Sequence, residues 1–411
     1  MEKQKNRTIL HCDCNGFYAS VECLLRPELR EIPMAVCGDP ENRRGIILAK
    51  NELAKKYNIQ TAETIWQAKK KCPSLTLVSP HRGQYEKFSQ LVNAVYQRYT
   101  DLVEPFGIDE SWLDITGSLH LFGSGKDVAD EIRQTVKREL GLTVSIGVSF
   151  NKIFAKLGSD YKKPDATTVI SPENFRQIVF PLPVSALLFV GKSAMETFSK
   201  LGIRTIGDLA ESDKPLLAAK LGKMGETLHD YANGLDDSPV KSVYDEREIK
   251  SIGNSITFRR NLVGLEDIRL GVLALADTVA ARMRKHGLKC ATVQVIIKNP
   301  NLKIISRQRT LSSPTHLAKV LGDTALDIIQ ASWNLNAPIR MLSITGSNLV
   351  PAEETGEQLS LFENSTESLE KQEHLESALD AIRAKYGKNA VSIAGVLKND
   401  IGLDEPKEEK D

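Results

Sequence analysis

Three acidic side chains stand where short apolar runs end. Asp13 follows the run TILHC (8–12), and Asp109 and Glu110 lie together in the segment EPFGIDESWLDIT (104–116). If these runs are strands, the three carboxylates meet at neighbouring strand ends, and carboxylate oxygens are the ligands that Mg²⁺ prefers. Two such ions can activate an attacking oxygen and stabilise the charge on a leaving phosphate. An acidic pair alone is a weak signal, because most such pairs are solvated turn residues.

The segments that must position these residues alternate between strand and helix. The pattern predicts strands at 8–12 and 75–78, a helix at 85–99, a strand–turn–strand unit at 103–115, a helix at 126–140 and a strand at 142–149. The order strand–helix–strand–strand–helix–strand is typical of a ferredoxin-like α/β fold. The chain continues with a mostly helical, glycine-punctuated block (172–235), a polar linker (236–250) and a second, smaller α/β unit (251–350).

The composition is that of a globular chain with unevenly distributed charge. Its 411 residues are 41% hydrophobic and 26% charged, which at roughly 100–200 residues per domain allows two to four domains. The net charge is +1, but residues 241–350 carry +8 and residues 351–411 carry −8. A basic unit followed by an acidic tail indicates a polyanionic partner. Since neither a long apolar window nor a signal-peptide core occurs, we expect a cytoplasmic protein without a membrane span.

Six cysteines are scattered over the chain without a C-x-x-C pair: Cys12, Cys14, Cys23, Cys37, Cys72 and Cys290. Cys12 and Cys14 flank Asp13 and would point to the same face of a strand. The pattern favours buried, reduced thiols, and a zinc site is the less favoured alternative.

The two acidic motifs occur in an order that is specific to one family. HCDCNGFYASVE (11–22) is followed, about 90 residues later, by GIDESWLDIT (107–116). This resembles the Y-family translesion DNA polymerases, in the bacterial DNA polymerase IV branch. The sequence motifs of that family are close to D-x-D-x-F-F/Y-A-x-V-E and S-I-D-E-x-x-L-D. The resemblance covers about residues 8–350. It implies a template-directed, low-fidelity DNA polymerase that extends a primer 3′ end without proofreading.

The resemblance also implies a multidomain α/β (α+β) fold in the form of a right hand, acting as a monomer. The predicted parts are a ferredoxin-like palm (1–25 and 77–166), small fingers (26–76), a helical thumb with a helix–hairpin–helix (167–235), a linker (236–250), a little finger (251–350) and an acidic tail with a clamp-binding motif (351–411).

The resemblance assigns the acidic residues to a metal site. Asp13, Asp109 and Glu110 would hold two Mg²⁺ ions, with the backbone carbonyl of Cys14 as a further ligand. Glu110 would lie nearest the attacking primer oxygen, and the protein would act by positioning and charge neutralisation in an in-line phosphoryl transfer. Asp114, on the same predicted strand, is interpreted as structural.

Two aromatic residues on the helix that leaves this site bear on sugar selection. In the family the second aromatic lies under the incoming sugar, where a 2′-hydroxyl would collide with its ring, and Tyr18 holds that position. Phe17 would contact the substrate beside it. The alternative is that both rings are plain core residues.

Lysines are predicted to contact the triphosphate of the incoming dNTP. Lys163, before Pro164, matches the family's phosphate-contacting lysine. Lys152 and Lys156 fall on one face of a predicted helix at i and i+4. Ordinary surface lysines are the alternative for all three.

The fingers depart from the family at the nucleotide grip. The usual A-N-Y-x-A-R is here AKNELAKKY, which keeps Asn51 but puts Glu52 for the tyrosine and Lys55 for the arginine. We expect Glu52 to turn away from the phosphates. Lys55 keeps the positive charge without the bidentate fork of an arginine.

Contacts with primer–template DNA are predicted in two places. Residues 187–210 resemble a helix–hairpin–helix whose turn at Gly191 offers N–H groups to a phosphate, although Phe189 stands where the family has an earlier glycine. Packing of two helices through a glycine turn is the alternative. In the little finger, a sheet would lie along the duplex and bind it mainly through charge. The candidate contacts there are Arg259, Arg260, Lys298, Arg307 and Arg309.

A short apolar motif, QLSLF (358–362), stands in the acidic tail. It resembles the bacterial sliding-clamp-binding pentapeptide, in which Gln358 would hydrogen-bond while Leu359, Leu361 and Phe362 fill an apolar pocket. Chance is the alternative for so short a motif. Farther on, Leu375, Leu379 and Ile382 fall on one helical face.

Two other classes of protein stay open. A nucleotidyl cyclase uses the same palm and a carboxylate pair with two metals, although it needs no basic unit along a duplex. A non-catalytic DNA-binding protein is kept open by the altered Glu52 and Lys55. Primer extension with Mg²⁺ separates the three possibilities.

Overall fold

The computed structural model describes residues 7–39, 45–245, 248–353, 366–387, 390–392 and 399–403, except for the side chains of 366–370. The chain divides into two compact units, which we call unit 1 (Met1–Gly38 with Ile46–Glu246) and unit 2 (Asp39–Gly45 with Arg247–Asp411). In the part of the chain so described, no helix is both long and apolar enough to cross a bilayer.

Unit 1 alternates strands and helices before it becomes helical. Its strands are β1 (Ile9–Cys14), β2 (Met34–Cys37), β3 (Ile47–Lys50), β4 (Thr76–Val78), β5 (Val103–Pro105), β6 (Glu110–Asp114), β7 (Val144–Ser149) and β8 (Thr167–Ile170). Its α-helices are α1 (Phe17–Leu25), α2 (Glu52–Lys55), α3 (Ile65–Lys71), α4 (Arg82–Tyr96), α5 (Leu119–Phe122), α6 (Gly125–Leu140), α7 (Lys152–Tyr161), α8 (Phe175–Val179), α9 (Lys192–Leu201), α10 (Ile206–Ala210), α11 (Lys214–Leu221) and α12 (Lys223–Ala232).

The central sheet of unit 1 has the strand order β5–β6–β1–β7–β8. β1 is antiparallel to both β6 and β7, and β8 joins β7 in parallel. The order β5–β6–β1–β7, with α4 and α6 in the connections, is that of a ferredoxin-like fold. The predicted α/β palm is therefore confirmed.

Alternation along β1 decides which residues face which helices. Leu10, Cys12 and Cys14 join the apolar core that α1, α4 and α6 complete. Ile9 belongs to a separate cluster that includes Ala155 of α7. Because side chains alternate along a strand, Asp13 lies on the α7 side of the sheet.

Helix α7 packs unusually close to β7. A Cβ on Gly147 would lie 1.9 Å from the carbonyl oxygen of Ala155, so any side chain at that position would push α7 off the sheet. Glycine at 147 lets the backbones touch. This contact brings the side chains that follow Ala155 on α7 next to the end of β1.

A small separate sheet, in the order β3–β2–β4, forms the fingers. β4 pairs in parallel with β2. The strand predicted at 75–78 therefore pairs with the fingers and not with the palm, and the predicted boundary at residue 77 falls inside it. The fingers have a small core of their own, which includes Ala35, Ile47 and Ala68.

Helices α8 to α12 pack around a core that includes Phe154, Phe198 and Leu228. All six cysteines of the chain are buried and unpaired with one another. The interpretation as buried, reduced thiols is confirmed.

Unit 2 is a four-stranded antiparallel sheet with helices on one face. Its strands, β9 (Ser251–Leu262), β10 (Leu288–Lys298), β11 (Ile304–Thr315) and β12 (Ile339–Pro351), have the order β11–β10–β12–β9. Helices α13 (Gly264–Lys285) and α14 (Ala318–Ser332) share a core with the sheet. The predicted second α/β unit is confirmed.

The tail contributes structure to unit 2. Helix α15 (Thr366–Tyr386) docks through charged residues: Arg284 of α13, only 7% exposed, pairs with Glu376 and Asp380. The outward side carries Leu375 and Ile382, which are 60% and 38% exposed. The helix that the apolar residues predicted exists, but ion pairs, not those residues, hold it.

A second tail residue enters the core of unit 2. Ile401 is fully buried and belongs to the cluster formed by the sheet, α13 and α14. Its carbonyl oxygen accepts a hydrogen bond of 3.0 Å from the Arg259 N–H of β9. The polar composition of the tail gave no signal for this contact.

Candidate active site

Strand pairing places the acidic residues together. β1 and β6 are antiparallel in a register that sets Asp13 directly opposite Glu110. Asp109 stands just before β6, and its carbonyl oxygen accepts a hydrogen bond of 2.9 Å from the Cys14 N–H. All three predicted carboxylate residues and Cys14 therefore meet at one end of the central sheet.

Two lysines form ion pairs with these carboxylates. Lys156 Nζ lies 2.9 Å from Asp13 Oδ2 and 2.8 Å from Glu110 Oε2. Lys163 Nζ lies 2.7 Å from Asp13 Oδ2, and both ammonium groups also contact Asp160, at 3.3 and 2.6 Å. Opposed carboxylates in a strand pair repel each other, so positive charge is needed between Asp13 and Glu110. The site attracts cations strongly.

The neighbouring carboxyl groups of Asp109 and Glu110 have pKa values shifted in opposite directions. Burial, with the Asp13 and Glu110 carboxylates nearby, raises the pKa of Asp109 to about 6. Burial also opposes ionisation of Glu110, but the Lys156 ammonium, 2.8 Å from Glu110 Oε2, outweighs it and holds the pKa of Glu110 well below its usual range. A buried cluster with such opposed shifts is typical of a functional site.

His11 is a member of the site that the sequence analysis did not identify. It lies two residues before Asp13 on the same face of β1 and is fully buried. The Ser159 hydroxyl donates to the Lys156 carbonyl at 2.8 Å, so the 2.8 Å contact between Ser159 Oγ and His11 Nδ1 requires His11 Nδ1 to donate. Nε2 then carries a lone pair, and it has no hydrogen-bond partner.

The donor set fits a divalent cation. One ligand atom from each of His11, Asp13 and Glu110 lies within 4.8 Å of the others, and the orphaned His11 Nε2 is 3.4 Å from Glu110 Oε2. Asp109 lies close enough for its carboxylate to add to the negative electrostatic potential of Asp13 and Glu110. Carboxylate oxygens dominate this set, which suits hard cations such as Mg²⁺.

Tyr18 stands beside the site on a rigid support. Gly16, in the left-handed region at φ 53°, turns the chain from β1 into α1. Phe17 is buried in the palm core, whereas Tyr18 is only partly buried and stacks on Tyr85, with ring centroids 4.2 Å apart. Phe17 is thus a core residue, and Tyr18 presents a ring held in place from behind.

In the fingers, Asn51 makes contacts that the sequence analysis did not predict. Asn51, predicted to bind the nucleotide, caps α2 by accepting from the Ala54 N–H at 2.9 Å. Its amide nitrogen donates to the Leu29 and Ile32 carbonyls. This side chain is committed to holding the backbone of the fingers, because its position before a helix favours capping.

Lys55 is exposed and pairs loosely with Glu52 at 3.5 Å. An exposed pair of this length contributes little to stability, so Lys55 can exchange Glu52 for a phosphate. Among the contacts that the structure describes, none joins Glu52 to Asp13, Asp109 or Glu110.

Lys152 does not join Lys156, although both were predicted on one helix face. Its ammonium lies 2.7 Å from Glu104 and over the Trp112 ring at 4.6 Å. It is buried, and the contacts make it a structural residue of the palm. Asp114 is structural as interpreted, since it accepts from the Thr116 N–H at 3.0 Å.

The predicted hairpin turn of the thumb keeps a glycine-like backbone. Gly191 precedes α9 as its N-cap residue, and a Cβ there would meet nothing within 4 Å. Phe189 has a φ of 70°, in the region that favours glycine. Phe189, which stands where the family has an earlier glycine, thus adopts a backbone conformation that glycine favours.

Most of the arginines predicted to contact DNA lie on the helix side of the unit 2 sheet. Ile305 and Leu311 of β11 pack on the core, and Arg307 and Arg309, at alternate positions between them, share that side. Arg309 pairs with Asp327 of α14 at 2.9 Å. Arg260 likewise pairs with Asp267 and Asp400.

The other side of this sheet, which we call the open face, carries mainly uncharged side chains, and Ile296, Ile304 and Met341 are apolar members of it. The strand registers bring together on it side chains that are mostly hydroxyl-bearing: Ser255, Thr257, Gln294, Ser306, Gln308, Thr310, Ser343 and Thr345. Lys298 belongs to this face as well, paired across from Ile304. The predicted clamp residues Gln358, Leu359, Leu361 and Phe362 lie outside the described residues.

Comparison with known proteins decides the family. The impB/mucB/samB family model matches residues 12–160, and the model of that family's C-terminal domain matches residues 249–361. A DNA polymerase IV of Acetivibrio thermocellus is 48% identical over 97% of this chain and 99% of its own length. DNA polymerase IV of Clostridium kluyveri is 36% identical over 96% of this chain and 99% of its own length. The chain belongs to the Y-family DNA polymerases, in the DNA polymerase IV branch.

Two further relatives agree with this membership. DNA polymerase IV 1 of Bacillus subtilis (strain 168) is 35% identical over 96% of this chain and 94% of its own length. A solved structure, a Y-family DNA polymerase chimera of Dbh and Dpo4, matches with a TM-score of 0.73 and 23% identity, over 84% of this chain and 99% of that one. The last match supports the fold alone.

Membership establishes what kind of enzyme this is. It is a template-directed DNA polymerase of the low-fidelity, translesion type, and it uses primer–template DNA, dNTPs and a divalent cation. The nucleotidyl cyclase and the non-catalytic DNA-binding protein are thereby excluded.

Proposed function

We propose that this polymerase carries out phosphoryl transfer at Asp13, Asp109 and Glu110, which would hold two Mg²⁺ ions together with the Cys14 carbonyl. The observation that carries the proposal is the register that sets Asp13 opposite Glu110. Bound there, the ions would supply Lewis-acid activation of the primer 3′ oxygen and neutralise charge on the triphosphate. Glu110, ionised well below neutral pH because of its low pKa, would face the primer oxygen.

The lysines of the site would serve the triphosphate. Lys156 and Lys163 share Asp160 as a counter-charge, so both keep a partner when the oxygens of Asp13 ligate a cation. Their ammonium groups can then turn to the phosphates of the incoming nucleotide. Lys55, exposed on α2, would add a third positive charge from the fingers.

Tyr18 would select the sugar. Its ring is held against Tyr85 and cannot move back without breaking that stack. A 2′-hydroxyl placed over the ring would clash, so ribonucleotides would be excluded.

The DNA would be held by backbone contacts. The N–H groups around Gly191 at the start of α9 suit a phosphate, and the open face of unit 2 offers hydroxyl and amide groups that hydrogen-bond to phosphate oxygens without reading sequence. Arg259, Arg260, Lys298, Arg307 and Arg309 would supply the long-range attraction. The protein would act as a monomer.

Primer extension tests the metal site. Asp109→Ala should abolish extension with Mg²⁺ while DNA binding stays nearly intact, because negative charges do not attract phosphate. Asp114→Asn is the matched control, since this carboxylate stands at the far end of β6 and contacts only Thr116 and Arg7 among the described residues. Extension by purified Asp109→Ala protein at the wild-type rate would overturn the assignment.

The QLSLF motif would tether the polymerase to the bacterial sliding clamp. A tether raises the effective concentration of the enzyme at the primer end, which suits small fingers that grip little DNA. The test is extension with and without the clamp for wild type and for a Leu361→Ala/Phe362→Ala variant. We expect stimulation of the wild type alone, and equal stimulation of both would remove the motif as the contact.

A further inference from the structure

One helix of the fingers presents an aromatic ring to solvent beside basic side chains. Trp66 on α3 is 71% exposed, the most exposed Trp or Phe that the structure describes. Lys70 Nζ lies 5.5 Å from the centre of its ring. Lys69, at i+3, is on the same exposed side. We call Trp66, Lys69 and Lys70 the fingers patch.

The patch is not left over from the packing of α3. The inward side of this helix is occupied by Ala68, which is fully buried with the following Cys72 in the fingers core. Thr64 and Gln67 close a capping box at the start of the helix, so the helix does not need Trp66 for its stability. An exposed aromatic ring flanked by ammonium groups is the arrangement with which proteins bind single-stranded nucleic acid.

The charge around the ring favours nucleic acid. Residues 46–76 contain six Lys and two Glu, and the two carboxylates are already paired within the fingers, Glu63 with Lys71 at 2.6 Å and Glu52 with Lys55. Protein interfaces are depleted in lysine. Single-stranded nucleic acid, by contrast, is bound by aromatic rings on which bases stack, flanked by basic groups that follow the backbone.

The patch also lies at a suitable distance from the active site. The start of α3 is tied to the start of β3 by the bridge between Ile46 and Thr64. The other end of β3 reaches the turn before Tyr18, since the Lys50 carbonyl oxygen lies 3.3 Å from a Cβ placed on Gly16. Four residues of strand span roughly 10 Å, which corresponds to about three nucleotides of a stacked strand.

We propose that the fingers patch binds the single-stranded template ahead of the templating base, with Trp66 stacking on a base and Lys69 and Lys70 contacting the flanking phosphates. The inference rests on the proposed function, because it assigns the single strand to the template of that reaction. It explains how small fingers can hold the template without a large closing domain.

The test is equilibrium binding of the full chain, without nucleotide or divalent cation, to a blunt duplex and to the same duplex with a long template overhang. For the wild type, the overhang should tighten binding. Trp66→Ala should reduce that gain by about fivefold or more, the loss expected for one base–aromatic stack, and leave blunt-duplex binding unchanged. Trp66→Phe should keep part of the gain, and Lys69→Gln/Lys70→Gln should make it less sensitive to salt.

Tyr386→Ala is the matched control. Tyr386 is also exposed, at 67%, and Lys385 lies 5.2 Å from its ring centre, but it belongs to the acidic helix of unit 2. The control should bind both DNAs as the wild type does. A melting curve for each variant checks that it is folded.

Two results would overturn the inference. Equal overhang gains in wild type and Trp66→Ala would show that the ring takes no base. A Trp66→Ala variant with normal overhang binding but weaker stimulation by the clamp would make the patch a protein-docking surface. Failure of the wild type to extend a primer on these DNAs would instead overturn the proposed function, and the binding measurement keeps the two apart.

Discussion

At the scale of single residues, the Lys156 ammonium and a divalent cation compete for the carboxylate oxygens of Asp13 and Glu110. Lys156 bridges both carboxylates. Burial lowers its pKa, but the Asp13 and Glu110 carboxylates outweigh burial and raise the pKa above the usual range of lysine. It therefore stays positively charged and repels a second cation at the same oxygens. The ammonium stabilises the protein before the metal binds and must give way afterwards.

Lys156→Gln should consequently bind divalent cations more tightly. Removing one positive charge about 4 Å away is worth at least about 1 kcal/mol, the value in bulk water, which predicts at least about fivefold tighter Mn²⁺ binding. The measurement is Mn²⁺ binding by electron paramagnetic resonance. Lys162→Gln, a neighbouring exposed lysine, should bind as the wild type does, and unchanged affinity in Lys156→Gln would contradict the competition.

Tyr18→Ala should admit ribonucleotides, because the ring that blocks the 2′-hydroxyl is gone. We expect the preference for dNTP over rNTP to fall by at least about tenfold, equal to a steric cost of 1.4 kcal/mol. Tyr18→Phe keeps the ring and should keep the preference. Single-nucleotide insertion kinetics with dNTP and rNTP give both ratios. A preference unchanged in Tyr18→Ala would make Tyr18 a core residue.

The sequence predicted the members of this site unevenly. Asp13, Asp109 and Glu110 could be found because their motifs are local. His11 could have been found from its two-residue spacing to Asp13, although a histidine in an apolar run is usually structural. The bridging position of Lys156 could not have been found from the sequence, because it depends on the close approach of α7 to Gly147. The capping role of Asn51 was not predicted, since motif matching overlooked its position before α2.

At the scale of secondary structure, α15 inverts the usual rule for a docked helix. Its charged residues face inward: Glu376 accepts from the Ala318 N–H at the start of α14 at 3.0 Å and pairs with the buried Arg284. Apolar periodicity predicted the helix but not its orientation. The reason is that α13 presents the buried Arg284 to α15. Leaving a buried guanidinium unpaired costs more free energy than leaving a leucine exposed to solvent.

On α15, replacing an inward charged residue should therefore destabilise the protein more than replacing an outward leucine. Glu376→Ala should lower the free energy of unfolding by about 2 kcal/mol, because it leaves the Arg284 guanidinium and the Ala318 N–H with fewer partners. Leu375→Ala, on the outward side, should change it by less than about 0.5 kcal/mol. Urea unfolding compares the two, and a larger effect of Leu375→Ala would show that the apolar side docks after all.

At the scale of the whole molecule, internal ion pairs limit the electrostatic grip on DNA. If all five predicted basic contacts met phosphates, the logarithm of DNA affinity would fall with that of salt with a slope of about −4.5. Arg260 and Arg309 are already neutralised by carboxylates. With these two removed from the count, we expect the slope to be shallower than about −4.5 by about 1.8 or more.

Releasing one arginine should steepen this slope. Asp327→Asn frees Arg309 and should change the slope by about −0.9 if Arg309 then meets a phosphate. Asp323→Asn is the control on the same helix, since Asp323 pairs with Lys319. Titrations of DNA affinity against KCl measure both. An unchanged slope in Asp327→Asn would assign Arg309 to the fold alone.

The charged docking of α15 has a consequence for the integrity of the chain. β12 belongs to the sheet of unit 2 up to Pro351, and Glu376 and Asp380 fasten α15 to α13 of the same unit. The stretch 354–365, which contains QLSLF, thus joins two separately anchored elements. A peptide bond hydrolysed within it would sever the chain without parting its halves. Such a nicked protein would elute as one species under native conditions and separate into two pieces only in denaturant.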